Sequence, residues 1–288
     1  MLYVVAVGGN ALTDAKILSS LSAAVVKLHR QGHKILITHG NGPQVGKLAT
    51  AEKEKLSLLT AQTQAEIGIG IEDAIRRAGK HQINTAVVLT KVLVHGNDSA
   101  FANPTKPIGR FLSKKEAMGL RRSGLTVRLL RHGYRRVVPS PTPVRAFESK
   151  LIKKLLESGY VVIAGGGGGI PVVRKGNSFS YVDAVVDKDA TSSLLATELK
   201  ADRLFVLTNI DGAFLNLGKK GERMLTRTSC KEILQYAKDG QFEEGSMLPK
   251  VIACAEFSRK SKKISVIGNL KKSEKVLLKQ NGCTLITP

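Results

Sequence analysis

Short apolar segments alternate with longer amphipathic segments along most of this chain. The stretch YVVAV (3–7) predicts a buried strand, residues 17–32 an amphipathic helix that Gly32 closes, and KILIT (34–38) the next strand. Two strands joined through a helix are expected to be parallel, because a parallel connection needs a crossover of that length. The repeated pattern therefore predicts an α/β fold with a parallel sheet.

The same periodicities place the other elements. Further helices are predicted at 44–56, 60–79, 149–159, 190–199, 229–238, 247–260 and 273–280, and further strands at 85–90, 160–164, 203–207, 264–268 and 284–288. Two regions break the alternation: residues 91–139 are irregular, with a hairpin at 125–139, and residues 170–182 read as another hairpin. We expect the first region to form a protruding lobe.

Five consecutive glycines, residues 165–169, interrupt the apolar run VVIAGGGGGIPVV. A flexible linker would lie among polar residues, whereas aliphatic and β-branched residues flank this run. A loop whose backbone N–H groups surround an anion fits better. Glycine-rich loops also follow the first two strands, as VGGNA and THGNGPQVG, and the carboxyl ends of parallel strands are where ligands bind. Each loop alone is also compatible with an ordinary strand-to-helix turn.

The charge of the chain is strongly positive. Its 288 residues carry 45 Lys and Arg against 23 Asp and Glu, a net charge of +22, with basic regions at 106–154 and 259–279. Such a field suits anionic partners, either phosphorylated metabolites or nucleic acid, and a merely solvated basic surface stays an alternative. Aromatic residues make up only 5% of the chain and Trp is absent, which argues against base stacking and makes nucleic acid the less expected partner.

Three lysines lie in contexts that favour phosphoryl transfer. Lys188 lies between Asp187 and Asp189, Lys250 is at the predicted start of a helix, and Lys106 lies between prolines. Phosphoryl transfer builds charge on oxygens, so cations held by neighbouring acids suit it. Other chemistries lack their motifs: no H-E-x-x-H, no G-x-S-x-G and no C-x-x-C is present, and we expect no protein-bound metal site.

Seven stretches together resemble the carbamate kinases of the amino acid kinase family. They are VVAVGGNAL, ITHGNGPQVG, FANPTKPIG, RRVVPSPTP, VVIAGGGGGIPVV, VDAVVDKDATSSLLATELKADRLFVLTNIDGAFLNLGK and FEEGSMLPKVIACAEF, and they run from residue 4 to about residue 257. The resemblance implies reversible phosphoryl transfer between carbamoyl phosphate and MgADP, giving ATP and carbamate, which breaks down to ammonia and carbon dioxide. It also implies a three-layer α/β/α sandwich and a homodimer.

The resemblance further implies roles for individual residues. Lys188, Asp189, Lys250 and Lys106 would be catalytic, with Lys106 closing over the substrate from the lobe. Gly8, Gly9, Asn10, Gly40, Asn41 and Gly42 would bind carbamoyl phosphate. Gly165, Gly166, Gly167, Gly168, Thr208, Asp211, Met247 and Lys250 would bind the nucleotide, whose phosphates would hold Mg²⁺.

The expected organisation is one amino acid kinase domain. Its N-terminal lobe would span about 1–160, with the protruding subdomain at about 91–139, and its nucleotide lobe about 161–288. The strand pattern at the start of the chain and the lack of a long apolar run predict a cytoplasmic protein without membrane spans. The segment AQTQAEIGIGIE (61–72) departs from the family pattern. Another small carboxylate or phosphate as acceptor therefore stays an alternative. The basic surface keeps a second alternative open, a non-catalytic scaffold that binds nucleic acid or a protein partner, and the physiological direction stays open.

Overall fold

The computed structural model describes residues 1–8, 14–51, 54–130 and 133–288. Strand β1 (Leu2–Val7) leads through helix α1 (Ala15–Arg30) to β2 (Lys34–His39), and the two strands pair in parallel, as predicted. Asp14 begins α1, because its side chain accepts hydrogen bonds from the backbone N–H groups of Lys16 and Ile17. This first βαβ unit sets the direction of the sheet.

The other elements follow in chain order. The helices are α2 (Gly42–Ala51), α3 (Leu56–Ala78), α4 (Lys114–Arg122), α5 (Ser149–Glu157), α6 (Lys188–Glu198), α7 (Cys230–Lys238), α8 (Met247–Ser261) and α9 (Ser273–Lys279). The strands are β3 (Thr85–Val88), β4 (Lys91–Val94), β5 (Lys106–Leu112), β6 (Val127–Leu130), β7 (Gly133–Val138), β8 (Pro143–Ala146), β9 (Val161–Ala164), β10 (Ile170–Lys175), β11 (Ser178–Tyr181), β12 (Arg203–Thr208), β13 (Phe214–Leu215), β14 (Arg223–Met224), β15 (Arg227–Ser229), β16 (Ile264–Asn269) and β17 (Cys283–Thr287).

The main sheet has eight strands in the order β15-β17-β16-β12-β1-β2-β9-β3. Every pairing in it is parallel except the one between β16 and β17, so the predicted parallel sheet is confirmed. Strands β1, β2, β9, β12 and β16 all end at the same edge. The loops that follow them are therefore brought together, although they are far apart in the sequence.

Alternate side chains of the sheet enter two separate apolar cores, one on each face. On one face Val4 and Ala6 of β1 pack with residues of α5, α6, α7 and α8, including Phe257. On the other face Val5 and Val7 of β1 pack with residues of α1, α3 and α9. Helices thus cover both faces, which confirms the three-layer α/β/α architecture.

Residues 106–130 and 133–138 form a unit that we call the lobe. Its strands make a three-stranded sheet in the order β5-β7-β6, and α4 packs on it. The predicted hairpin at 125–139 corresponds to β6 and β7, whereas α4 lies in a stretch predicted to be irregular. Residues 91–94, predicted to belong to the irregular region, instead form β4 in a four-stranded sheet with β8, β10 and β11.

The base of the lobe packs on α2 and α3. Ile108 and Val138 of the lobe share a small apolar core with Val45, Leu56 and Leu59 of these helices. The backbones of α2 and β5 also approach closely, because a Cβ atom on Gly46 would lie 1.9 Å from the backbone nitrogen of Gly109. The lobe is therefore held beside the edge where the strands end.

Helices α2 and α3 occupy most of the region predicted as 44–56 and 60–79, with earlier starts at residues 42 and 56. The helices and strands predicted after residue 185 are confirmed to within a few residues at their ends. In the described part of the chain, no helix is both long and apolar enough to cross a membrane.

Candidate active site

A cleft of about 470 Å³ lies at the carboxyl edge of the main sheet, between that edge and the lobe. Residues that follow β1, β2 and β12 line its floor, the lobe forms one wall, and the starts of α6 and α8 form another. The lining residues are Gly8, Gly40, Asn41, Gly42, Pro43, Lys106, Pro107, Ile108, Gly109, Phe111, Arg135, Gly167, Val185, Val186, Asp187, Lys188, Asp189, Thr208, Asn209, Gly245, Ser246, Pro249 and Lys250.

The N-terminus of α6 positions the central charges of the cleft. Asp187 caps the helix: its Oδ1 accepts hydrogen bonds from the backbone N–H groups of Asp189 (2.8 Å) and Ala190 (3.2 Å). Lys188 and Asp189 are the first two residues of the helix and are thereby fixed in direction. Thr191 ties the same turn to the glycine run, because its Oγ1 donates to the carbonyl oxygen of Gly168 (2.8 Å).

Asp189 joins two lysines that come from different helices. Its Oδ1 accepts from Lys188 Nζ, and its Oδ2 accepts from Lys250 Nζ at 3.0 Å. All three side chains are largely buried, with exposed fractions of 3% for Asp189, 11% for Lys188 and 15% for Lys250. One carboxylate thus holds two cations at the cleft, and the three groups carry a net charge of +1.

Burial and these partners act in opposite directions on the pKa values of the three groups. Burial works to raise the pKa of Asp189, but Lys188 and Lys250 outweigh it and hold the pKa below its usual value. Burial lowers the pKa of Lys188, against the attraction of Asp189. For Lys250 the attraction of Asp189 outweighs burial, so its pKa is raised. Asp189 is therefore a carboxylate at neutral pH.

Lys106 reaches the cleft from the lobe and pairs with Asp187. Its Nζ donates to Oδ2 of Asp187, while Oδ1 of that residue caps α6. Burial works to raise the pKa of Asp187, but Lys106 and Lys188 outweigh it and lower the pKa strongly. Asp187 thus links the lobe to the helix that carries Lys188.

Neighbouring groups approach the backbone of the glycine run so closely that side chains would collide with them. A Cβ on Gly166 would lie 2.4 Å from Nε2 of His39, and one on Gly167 would lie 2.2 Å from Nδ2 of Asn41. A Cβ on Gly168 would lie 2.2 Å from the carbonyl oxygen of Val186. Gly165, Gly167, Gly168 and Gly169 also have positive φ, which side chains disfavour. The run is a packed turn and not a flexible linker.

Buried side chains of α3 hold this turn in place. Thr63 Oγ1 accepts a hydrogen bond from Asn41 Nδ2 at 2.9 Å. Gln64 forms two hydrogen bonds with the backbone of Thr90: its Nε2 donates to the carbonyl oxygen (3.2 Å), and its Oε1 accepts from the N–H (2.8 Å). The Oγ1 of Thr90 in turn accepts from the N–H of Gly165 (2.9 Å). The segment 61–72, which departs from the family pattern, therefore helps to hold the glycine run and Asn41 in position.

The structure brings together ten of the residues predicted to form the site. Gly8, Gly40, Asn41, Gly42, Lys106, Gly167, Lys188, Asp189, Thr208 and Lys250 all line the cleft. Gly9 and Asn10 lie outside the described residues. Gly165, Gly166 and Gly168 are packed against protein groups, and Met247 lies in the core on the α8 face of the sheet. The binding roles of these residues stay predictions.

Asp211, another residue predicted to bind nucleotide, does not line the cleft. Its carboxylate accepts hydrogen bonds from Asn269 Nδ2 (2.8 Å) and from Lys272 Nζ (2.7 and 2.8 Å). These two partners, Lys272 first, lower its pKa. Asp211 joins the ends of β12 and β16, and its predicted contact with nucleotide stays a prediction.

Sequence reasoning missed several lining residues, including Asp187 as a helix cap, Arg135 and Asn209. The cap had a signal, since Asp before a run of helical residues is a typical N-terminus. Among the described residues, no group of three His, Cys, Asp or Glu side chains is arranged to hold a metal ion. The two carboxylates that line the cleft, Asp187 and Asp189, form ion pairs with lysines.

Comparison with known proteins decides the family. The model of the amino acid kinase family matches residues 1–269. The chain belongs to the amino acid kinase family. The resemblance drawn from its glycine loops and lysines is thereby confirmed.

Individual members of the amino acid kinase family match over most of their length. The carbamate kinase-like protein YqeA of Escherichia coli (strain K12) is 43% identical over 276 residues, which cover 89% of each chain. The carbamate kinase of Thermoplasma acidophilum is 40% identical, over 89% of this chain and 87% of its own. The structure of carbamate kinase from Giardia lamblia bound to AMP-PNP matches with a TM-score of 0.86 and 37% identity, covering 99% of this chain and 98% of the other.

Proposed function

We propose that this chain catalyses reversible phosphoryl transfer between carbamoyl phosphate and MgADP, giving ATP and carbamate. As a member of the amino acid kinase family the chain is a phosphotransferase. The observation that carries the proposal is the arrangement of Lys188, Asp189 and Lys250 at the cleft: one buried carboxylate orients two cations. Relatives named carbamate kinase, about 40% identical over most of the chain, support carbamate as the acid.

The reaction needs positioning and charge stabilisation more than a protein nucleophile. In the direction of ATP formation, a terminal oxygen of the ADP β-phosphate attacks phosphorus, and the bond between phosphorus and the carbamoyl oxygen breaks with its electron pair on carbamate. Charge spreads over the oxygens of the phosphoryl group during transfer. Lys188 and Lys250 would stabilise that charge, because Asp189 fixes both ammonium groups before substrate arrives.

Backbone groups at the ends of the strands would bind the acid substrate. Gly8, Gly40 and Gly42 line the floor of the cleft together with the Asn41 amide. Helix α2 begins at Gly42, so its first N–H groups lack intrahelical acceptors and favour an anion. We assign Gly9 and Asn10 to the same subsite, by the resemblance that predicted them.

The nucleotide would lie on the side of the cleft formed by Thr208 and the start of α8. Ser246, which precedes α8, and Lys250 on the first turn of that helix both line this side, and Lys250 would contact the phosphate oxygens. Mg²⁺ would arrive with the nucleotide as part of the substrate and be held mainly by its phosphates. The proposal keeps the predicted lobes at about 1–160 for the acid and about 161–288 for the nucleotide, with Lys106 closing from the protruding subdomain.

The setting of the reaction is part of the same proposal. We assign the enzyme to the cytoplasm, as a homodimer, in keeping with the expectations drawn from the sequence, and we propose that it serves arginine metabolism. The net charge of +22 suits the anionic substrates, although the family does not require it.

The deciding experiment measures ATP formed from carbamoyl phosphate and MgADP, corrected for the spontaneous decay of carbamoyl phosphate. In Lys188→Ala, which removes a buried cation, we expect kcat to fall about 10³-fold, close to 4 kcal/mol of transition-state stabilisation. Lys150→Ala removes an exposed lysine from α5 and is the matched control. A folded wild-type protein that forms no ATP would overturn the proposal, and a panel of other small acids with MgATP would then identify the acceptor.

A further inference from the structure

Four cationic side chains line the cleft, and three of them have a carboxylate partner. Lys106 pairs with Asp187, and both Lys188 and Lys250 pair with Asp189. The fourth is Arg135, which forms no ion pair with any of the residues that the structure describes. A partly desolvated guanidinium without a counter-charge is unfavourable, so a substrate anion bound beside Arg135 would stabilise it.

The Arg135 side chain is held in place by neutral groups of the lobe. It extends from β7, its Nη2 donates to the carbonyl oxygen of Gly109 at 2.6 Å, and its guanidinium carbon lies 5.4 Å from the ring centroid of Phe111. Its Nε is buried and has no hydrogen-bond partner within the described part of the chain. The guanidinium is thus oriented before ligand binds, and a ligand would use its Nη donors, because the Nε is closed to the cleft.

Burial lowers the pKa of Arg135, but an arginine stays protonated in proteins. The charge therefore persists at every pH at which the protein is folded. A carboxylate of the protein beside Arg135 would offset the cost of desolvating its charge. Lys106, on the same wall of the cleft, has such a partner in Asp187. Arg135 has no such partner among the residues that the structure describes, so its charge is available to a substrate oxygen.

We propose that Arg135 binds the planar carboxyl-derived end of the acid substrate, the O–C–O oxygens of carbamate and the corresponding carbonyl and bridging oxygens of carbamoyl phosphate. The proposal rests on the proposed function and adds the residue that recognises the acyl group. Arg135 lies on the lobe wall, opposite the starts of α6 and α8, where Lys188 and Lys250 are placed for the phosphoryl group. A planar guanidinium matches a planar O–C–O group through two parallel hydrogen bonds, which a lysine ammonium does not.

The test compares Arg135→Met and Arg135→Lys with Arg122→Met. Arg122 is exposed on α4 of the same lobe and does not line the cleft, so its substitution removes the same charge without touching the site. In Arg135→Met we expect the KM for carbamoyl phosphate to rise at least about tenfold, because a charge-assisted hydrogen bond is lost. The KM for MgADP should stay within about twofold of the wild-type value. In Arg135→Lys the affinity for carbamoyl phosphate should be recovered only in part.

A merely structural role for Arg135 would give a different pattern. Loss of the bond to Gly109 would disturb the whole lobe, lowering the melting temperature and raising both KM values together. Added guanidinium ion should restore carbamoyl phosphate turnover in Arg135→Ala but not in Lys188→Ala. An unchanged KM for carbamoyl phosphate in both Arg135→Met and Arg135→Lys overturns the inference, and so does an equal rise in the KM for MgADP.

Failure of the proposed function is recognised separately. If wild-type protein forms no ATP, calorimetry with carbamoyl phosphate as the titrant still measures binding to the wild type and to Arg135→Met. Binding that the substitution weakens at least about tenfold supports the assignment of Arg135 without the reaction. Binding that the substitution leaves unchanged, or a wild type that binds no carbamoyl phosphate, overturns it.

Discussion

Lys106 of the lobe and Asp187 at the start of α6 form an ion pair across the cleft. The same carboxylate caps α6, so one residue links the lobe to the helix that carries Lys188 and Asp189. A substrate phosphate or carboxylate that attracts Lys106 competes with Asp187 for it. We therefore expect the pair to couple the position of the lobe to the charge in the cleft.

Substitutions at this pair should be non-additive. Lys106→Ala is expected to lower kcat/KM about 10²-fold, the usual cost of a misplaced catalytic group. Asp187→Asn keeps an oxygen for the helix cap but loses the charge that holds Lys106, whereas Asp187→Ala loses both and should cost about 1 kcal/mol more in stability. In the double mutant Lys106→Ala/Asp187→Asn we expect coupling of at least about 0.5 kcal/mol in kcat/KM. Strictly additive effects would show that the pair does not act as a unit.

Folding stability should depend on His39 between about pH 6.5 and pH 4. Burial lowers the pKa of this side chain from 6.5 to about 4; the hydrogen bond to Gly40 opposes the shift, and Lys188 adds to it. In this interval the unfolded chain binds a proton that the folded protein does not, so stability is complete above the unfolded pKa and falls with pH until the folded pKa is reached. The shift corresponds to about 3 kcal/mol.

Denaturant unfolding at a series of pH values checks this. His39→Gln should flatten the fall in stability between pH 6.5 and pH 4, while His81→Gln, at an exposed position, should leave it unchanged. Burial also lowers the pKa of His33, so part of the slope should remain in His39→Gln. A slope that is the same in His39→Gln and in the wild type would contradict the assignment.

The sequence predicted the main sheet well because its strands are fully buried apolar runs. In β1, β2 and β9 nearly every residue is buried, so composition alone identifies them. Helix α4 was missed because Ala117 is its one buried residue, so it has no apolar stripe that would distinguish it from an irregular segment. Its capping box, Ser113 with Glu116, was the available signal.

The sequence predicted the site residues in loops that follow strands, but it predicted less well the side chains that reach the cleft from other helices and strands. The lysines beside acids could be singled out, but their partners could not, since Lys250 and Asp189 are 61 positions apart in the sequence. Arg135 lies next to Arg136 in β7, and neighbouring residues of a strand point to opposite faces. Only the structure shows that Arg135 reaches the cleft, while Arg136 donates to the carbonyl oxygen of Ala49.

Gly167 should not tolerate a side chain. Its φ is +60°, and a Cβ would lie 2.2 Å from the Asn41 amide, which lines the cleft. We expect Gly167→Ala to cost about 1–3 kcal/mol in stability and to raise the KM for carbamoyl phosphate, because Asn41 must move. Gly119→Ala, in α4 with open space around it, should be neutral or slightly stabilising. Thermal unfolding and steady-state kinetics measure both variants, and an unperturbed Gly167→Ala would refute the packing of this turn.

The contact between Gly46 and Gly109 should set the position of the lobe. A Cβ on Gly46 would lie 1.9 Å from the nitrogen and 2.0 Å from the Cα of Gly109, and a backbone cannot swing aside as a side chain does. Gly46→Ala must therefore push β5 away from α2. Because Lys106 lies on the same strand and Arg135 donates to the Gly109 carbonyl, both would leave the cleft together.

In Gly46→Ala we expect kcat/KM to fall about 10²-fold and amide hydrogen exchange to quicken across the lobe, with the main sheet still protected. Gly70→Ala is the matched control, because Gly70 also lies in a helix but has nothing within 4 Å of the added methyl. If Gly46→Ala kept wild-type kinetics and exchange, the lobe would not depend on this contact. The loss of activity without loss of the sheet would show instead that the cleft needs the lobe seated on α2.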